Sequence, residues 1–245
     1  MTNKSLYILS VLLLACNISM QAQKNVRNNR LKESPRISFG IKGGFNSAMM
    51  FINELSYGNQ EISDIENNYK IGYTATLFSR INIKNKHFIQ PEISYVISHG
   101  SISMSNLRGN AAILKDNAIV KTQISSIDIP LLYGYKFINS YPYGMSFFLG
   151  PKIAWIISKQ TSCEYSGFYQ KGINETIKPV NYSAVIGLGV NISNIFFDFR
   201  YEIGCNNITE SVEYDKSSTI EPYNEKDLTI KRHKNVLGFS VGFIF

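Results

Sequence analysis

The stretch Ile127-Asp128-Ile129-Pro130-Leu131-Leu132-Tyr133-Gly134-Tyr135-Lys136-Phe137 decides the fold. Ile127, Ile129, Leu131, Tyr133, Tyr135 and Phe137 fall on one side of an extended chain, and Asp128, Pro130, Leu132, Gly134 and Lys136 on the other. A period of two marks a strand with two unlike faces. Working outward, similar alternation begins near Ile37, Tyr69, His87, Tyr143, Val180, Ile195 and Val236. Ile195, Phe197, Phe199, Tyr201 and Ile203 oppose Phe196, Asp198, Arg200 and Glu202, while Leu237, Phe239, Val241, Phe243 and Phe245 oppose Gly238, Ser240 and Gly242. No segment fits helical spacing as well. The sequence predicts an all-β chain of eight antiparallel strands, with ends placed to about 2–4 residues.

Which face is the interior follows from the polar set. It is rich in Gly and Ser and carries Lys42, Lys70, Arg80, Lys136, Lys152 and Arg200 against Glu92, Asp128, Asp198 and Glu202. In a soluble sandwich or calyx these would meet water and the bulky apolar face would point inward. The apolar face is instead continuous and aromatic-heavy on every strand, which suits contact with lipid. Each Lys or Arg facing lipid at mid-depth would cost about 2–4 kcal/mol, so in a membrane these ten residues must line the lumen as a charge network. Eight strands leave a bore just filled by side chains, and ions in so narrow a space must pair or be solvated. The structural reading is a salt-bridged filling; the functional alternative is a gated ion path through rearranged pairs.

Connection lengths point the same way. Along the chain they run about 19, 3, 15, 5, 19, 2 and 27 residues, long and short alternating as in a transmembrane barrel with one tight rim. The short turns fall at Lys84–Lys86, Ile138–Pro142 and Asn191–Asn194, on the periplasmic side. The long extracellular loops are expected near Met50–Asn68, Ser105–Ile119, Lys159–Lys178 and Cys205–Arg232. Tyr143 and Trp155 suit the aromatic girdles at the two interfaces. The barrel domain is therefore expected over 37–245.

The first 22 residues read as a signal peptide, with Lys4, the apolar run Leu6–Ala15 and a cleavage point after Ala22. Lipidation at Cys16 in Leu13-Leu14-Ala15-Cys16 is the competing reading. Residues 23–36 form a basic, flexible leader, with Lys24, Arg27, Arg30, Lys32 and Arg36 against Glu33. That leader supplies much of the net charge of +7 and has no interleaved aromatics, so a nucleic-acid partner is not expected. The charged fraction of 18% is low for a soluble domain, where about 25% is usual. A near-zero mean hydropathy excludes a bundle of transmembrane helices.

The ordered set of strand motifs resembles the PorT-like small outer-membrane β-barrel domain family. It is carried by Gly40-Ile41-Lys42-Gly43-Gly44-Phe45-Asn46, Ile89-Gln90-Pro91-Glu92-Ile93-Ser94-Tyr95, Ile127-Asp128-Ile129-Pro130-Leu131-Leu132, Phe148-Leu149-Gly150-Pro151-Lys152, Phe197-Asp198-Phe199-Arg200-Tyr201 and Phe243-Ile244-Phe245. The resemblance implies an integral outer-membrane barrel in a gram-negative cell envelope. It also implies that Phe243 and Phe245 act as a C-terminal signal read by the barrel assembly machinery.

Smaller features have a bland and a sharp reading. Cys163 and Cys205 could form a disulfide or remain separate thiols, since a strand lies between them and two strand spacings are about 10 Å. His99 with Ser101, or His233 with Asp227, could serve a rim enzyme acting on lipid or peptide, or could simply be polar residues at the headgroup boundary. No catalytic, cofactor-binding or metal-binding residues are assigned, and no cofactor is expected. The expected function is a structural or interaction role: loop display, or membership of an envelope or secretion complex. A narrow or gated channel for ions or small solutes is the alternative. Outer-membrane lipids and the assembly machinery are the expected partners.

Overall fold

The computed structural model describes residues 35–57, 60–61, 65–84, 86–105, 114–157, 161–221, 224–225 and 227–245. The expected signal peptide at 1–22, and the leader apart from Pro35 and Arg36, lie outside the described residues. The strands are β1 (Ile37–Tyr57), β2 (Gln60–Glu61), β3 (Ile65–Lys84), β4 (His87–Ser105), β5 (Leu114–Ser140), β6 (Tyr143–Ile156), β7 (Ser162–Phe168), β8 (Lys171–Ile177), β9 (Val180–Ile192), β10 (Ile195–Gly204), β11 (Thr209–Asp215) and β12 (Leu228–Ile244).

Eight of them close a ring. β1, β3, β4, β5, β6, β9, β10 and β12 pair in that order, all antiparallel, and β12 pairs back onto β1 from Gly40↔Ile244 to Tyr57↔Leu228. Closure leaves no open sheet edge, the condition for a sheet to sit in hydrocarbon. The faces are inverted relative to a soluble protein. Phe39 is 65% exposed, Leu77 59% and Trp155 62%, whereas Lys42 is 5% exposed and Asp198 fully buried.

The two rims differ. At one, the described links are Lys86, Tyr141–Pro142 and Ser193–Asn194, the last with Ser193 at a left-handed φ of 55°. At the other, much of what the sequence suggested as loop is strand. A membrane-crossing strand needs about 9–11 residues, but β5 has 27, β1 21, β3 20, β4 19 and β12 17. These five adjacent strands rise as a tall wall, while β6, β9 and β10 stop at 14, 13 and 10 residues. The extension was hidden because the outward face no longer meets lipid there, and the two-residue contrast in hydropathy fades.

The low side of the wall is covered from within the long connections. β7 pairs with β5 from Ile119↔Ser166 to Gln123↔Ser162, continuing the track β6 follows lower on the same strand. β8 and β11 form a separate two-stranded sheet. Ile173 and Ile177 of β8 and Val212 and Tyr214 of β11 pack against a core that includes Met50, Ile102, Val120, Ile124, Ile208 and Ile230. The long-loop half of the barrel thus has an apolar core of the kind a soluble domain buries.

Candidate functional site

In the short-turn half the lumen is filled by ions and rings. Lys42 on β1 places Nζ 2.8 Å from Glu92 Oε1 on β4 and 2.6 Å from Asp198 Oδ2 on β10. Arg200, two residues on from Asp198, donates from Nη1 to Glu92 Oε2 at 3.0 Å and from Nε to Asp198 Oδ1 at 2.9 Å. Gln90 Nε2 donates to Glu92 Oε1 at 2.6 Å. The Lys42 ammonium also lies 5.4 Å from the Phe78 ring centre and 5.7 Å from that of Phe196, and the Arg200 guanidinium is 5.6 Å from that of Phe148. Glycines make room for these rings: a Cβ on Gly134 would meet Phe88 Cζ at 2.0 Å, and one on Gly187 would meet Phe148 Cζ at 2.4 Å. The Gly-rich lumen face is the complement of an aromatic filling.

A second set lies farther from the short turns. Lys152 on β6 bridges Asp128 on β5, at 2.7 Å, and Glu202 on β10. Ser126 Oγ donates to Asp128 at 2.6 Å, and buried Lys234 on β12 lies within electrostatic reach of Asp128, Glu202 and Lys152. A cavity of about 30 Å³, bordered by Lys42, Asp128, Lys152, Arg200 and Glu202, separates the two sets. It has room for about one or two waters.

A third set closes the long-loop half. Arg232 on β12, 1% exposed, donates from Nε to Glu175 Oε1 on β8 at 3.0 Å, and its Nη2 pairs with Oε2. Its Nη1 donates to Thr122 Oγ1 on β5 at 2.9 Å, and Cys163 Sγ on β7 lies 3.6 Å from Nη2. Tyr165 and Thr209 donate their hydroxyls to Glu175 at 2.5 and 2.7 Å. Five strands meet at this one ion pair. Burial, then the Glu175 charge, push the Cys163 thiol and the Tyr165 phenol above their ordinary pKa ranges.

The family model for the outer membrane protein beta-barrel domain matches residues 21–210, most of the chain. The chain belongs to that outer-membrane β-barrel family. Among solved structures it is similar to the outer membrane protein OprG from Pseudomonas aeruginosa, with TM-score 0.52 and 11% identity over 85% of this chain and 95% of that one. It is also similar to Ail, the attachment invasion locus protein of Yersinia pestis, solved with the heparin analogue sucrose octasulfate (TM-score 0.37, 10% identity, 86% and 99% covered). Neisserial surface protein A matches with TM-score 0.36 and 12% identity over 84% and 96% of the two chains. At these identities the likeness concerns the fold alone. No curated protein matches the sequence.

Within this outer-membrane barrel, the residues assigned to the lumen from sequence do not all meet. Lys42, Glu92, Asp198 and Arg200 form one cluster, and Asp128, Lys152 and Glu202 another. Arg80 stacks between Phe88 and Phe196, and half-buried Lys136 donates to Asn82 Oδ1 at 2.9 Å. Lys70 is a correction: it is exposed and joins neither cluster, although its register partner on β1, Ala48, is buried. Of the two readings of the cysteines, the structure holds the separate thiols. Cys163 and Cys205 are free thiols, Cys163 turned toward Arg232 and Cys205 exposed with Sγ directed at the Ile203 carbonyl.

The rim histidine pairs are not assembled. His99 Nδ1 lies 3.1 Å from the Ile71 carbonyl, and Asp227 pairs with Lys216 rather than His233. Phe243 and Phe245 are exposed on the outer wall at the short-turn rim. Sequence reading missed Lys234, Arg232 and Glu175. The first two were legible: Ile230, Arg232, Lys234 and Val236 continue the buried alternation of β12 upstream of where the apolar face becomes obvious. Glu175 had no such signal, since its partner is fifty-seven residues away.

Proposed function

We propose that this outer-membrane barrel is a closed, non-conducting anchor that presents the folded surface of its long-loop half to a partner outside the membrane plane. One observation carries the reading: three successive layers of buried ion pairs and rings fill the lumen, so the bore holds structure rather than a path. The tall wall of β1, β3, β4, β5 and β12, with the β8–β11 sheet packed on its core, gives the long-loop half a defined shape. A shaped surface on a rigid scaffold is what recognition requires. The PorT-like resemblance favours a partner in an envelope or secretion complex. In this reading the short turns face the periplasm after signal cleavage, and Phe243 and Phe245 are read by the assembly machinery.

Planar-bilayer recording of the purified, refolded barrel tests it. The expectation is no steady conductance, together with capture of envelope proteins that is lost when Asn174, Thr176 and Glu213, exposed on β8 and β11, are replaced by lysine. Steady conductance that survives those replacements defeats the reading in favour of a channel.

A further inference from the structure

Charge balance along the lumen is uneven. The Lys152, Lys234, Asp128 and Glu202 set is neutral, and so is Arg232 with Glu175. Toward the short turns, four cations (Lys42, Arg80, Lys136 and Arg200) face two carboxylates, Glu92 and Asp198. Both carboxylates are saturated by Lys42, Arg200 and Gln90. Arg80 lies within electrostatic reach of Asp198 and Glu92 but forms an ion pair with neither, and Lys136 has no carboxylate partner among the described residues, so two of the four cations are unmatched. Buried charge left uncompensated is costly, and the usual remedy is a counter-charge with hydrogen bonds.

The Arg80 site is built rather than incidental. Arg80 is 4% exposed, and its guanidinium stacks 4.5 Å from the Phe88 ring centre and 4.6 Å from that of Phe196. Nε donates to Gln90 Oε1 at 2.7 Å and Nη1 to Asn191 Oδ1 at 3.3 Å, which fixes the plane of the group. Nη2 is buried and has no hydrogen-bond partner among the described residues. Lys136 sits in the same part of the lumen, on Asn82 two residues along β3, close enough for the Arg80 charge to act on it. No acidic residue occurs in 35–41, 79–91, 129–151, 186–197 or 239–245, the strand ends at this rim, whereas Arg36 and Lys86 are exposed there.

We propose that the short-turn mouth of the barrel is a binding site for a phosphate group, held between Arg80 Nη2 and the Lys136 ammonium. Two unmatched cations suit a phosphate, which carries about −1.5 to −2 at neutral pH when singly esterified or free. A guanidinium fixed in its plane with one nitrogen left to donate suits a phosphate oxygen. The group comes either from a soluble phosphate or from a lipid headgroup that ends in a phosphomonoester at that rim.

The test uses the whole barrel refolded in maltoside micelles, which carry no phosphate, with urea unfolding followed by the fluorescence of Trp155, the single tryptophan. Inorganic phosphate and short-chain phosphatidic acid are titrated separately against chloride at matched ionic strength. The expected result is a saturable upward shift of the unfolding midpoint with one of the two phosphates and none with chloride. A response to inorganic phosphate alone assigns a soluble source, and a response to the lipid alone assigns the headgroup. Lys136→Gln, at a half-exposed rim position, should lose the shift while keeping the folded mobility on unheated gels, and Arg80→Gln should lose it as well. Lys136→Glu, which supplies a carboxylate beside Arg80, should raise the midpoint without phosphate and cancel the response. Equal shifts with phosphate and chloride, or an undiminished phosphate shift in Lys136→Gln, would overturn the proposal.

Discussion

Glu92 shows what a single lumen residue holds in place. It takes contacts from Lys42, Arg200 and Gln90 at a fully sequestered position. Removing its charge leaves two buried cations sharing Asp198. Breaking a buried pair in this way costs about 3–5 kcal/mol, so Glu92→Gln should unfold at markedly lower urea by Trp155 fluorescence. A nearly unchanged midpoint would mean that water reaches the cluster and solvates it. Gly134 is the steric counterpart. Its missing side chain admits the Phe88 ring, so Gly134→Ala forces a ring displacement that overpacking precedents put at about 1–3 kcal/mol. The double variant with Phe88→Leu should recover part of that loss. Both effects follow from packing on the lumen face, and neither residue stands out in the sequence beyond its place in the alternation.

At the scale of elements, the β8–β11 sheet is held by apolar packing on the core and by one buried ion pair. Arg232 and Glu175 tie β12 to β8, with Thr122, Tyr165, Cys163 and Thr209 drawn from three further strands. Cys163 reports on this latch directly, because burial and Glu175 both hold its thiol protonated. Maleimide should label Cys163 slowly and exposed Cys205 quickly in the native protein. Glu175→Gln should accelerate Cys163 while leaving Cys205 unchanged; equal acceleration of both would point to general unfolding instead. The turn after β11 has its own sensor. Hydrogen bonds from Ser217 and Ser218 hold the Asp215 carboxyl down to about 2, below its ordinary 3.8. A depressed carboxyl stabilises the turn above the ordinary value and loses that contribution as pH falls through the lower one. The Ser217 and Ser218 amide resonances should therefore titrate with a midpoint near pH 2 rather than near the ordinary 3.8.

For the whole molecule the decisive property is inversion: rings and branched chains outward, ions within. Leu131, 52% exposed on the outer wall of β5, tests it. Leu131→Arg should cost about 2–4 kcal/mol near the bilayer midplane, seen as lost folding into vesicles with little change in a soluble-protein assay of aggregation. The same ring of backbone pairing that makes this surface tolerable in lipid should keep the native barrel folded in detergent. Unheated and boiled samples should then run at different positions on a gel, and identical mobility would count against closure. Purification without detergent would argue for a soluble calyx.

The residues alone determined the eight strands of the ring, the inverted faces and the order of long and short links, because all three are local. Side chains alternate with a fixed period of two, so Asp128 against Ile129 already states which side faces what. The sequence also marked most of the ionic lumen: Lys42, Glu92, Asp198 and Arg200 needed only their parity. Their partners required the ring. Lys42 meets Asp198 across 156 residues, and only the closure of β12 onto β1 brings those strands to one axis. The exposure of Lys70, the separation of Cys163 from Cys205 and the Arg232–Glu175 latch were likewise decided by tertiary structure. Register breaks and the folding of long connections onto a shared core are set by contacts between distant segments, and no local period encodes them.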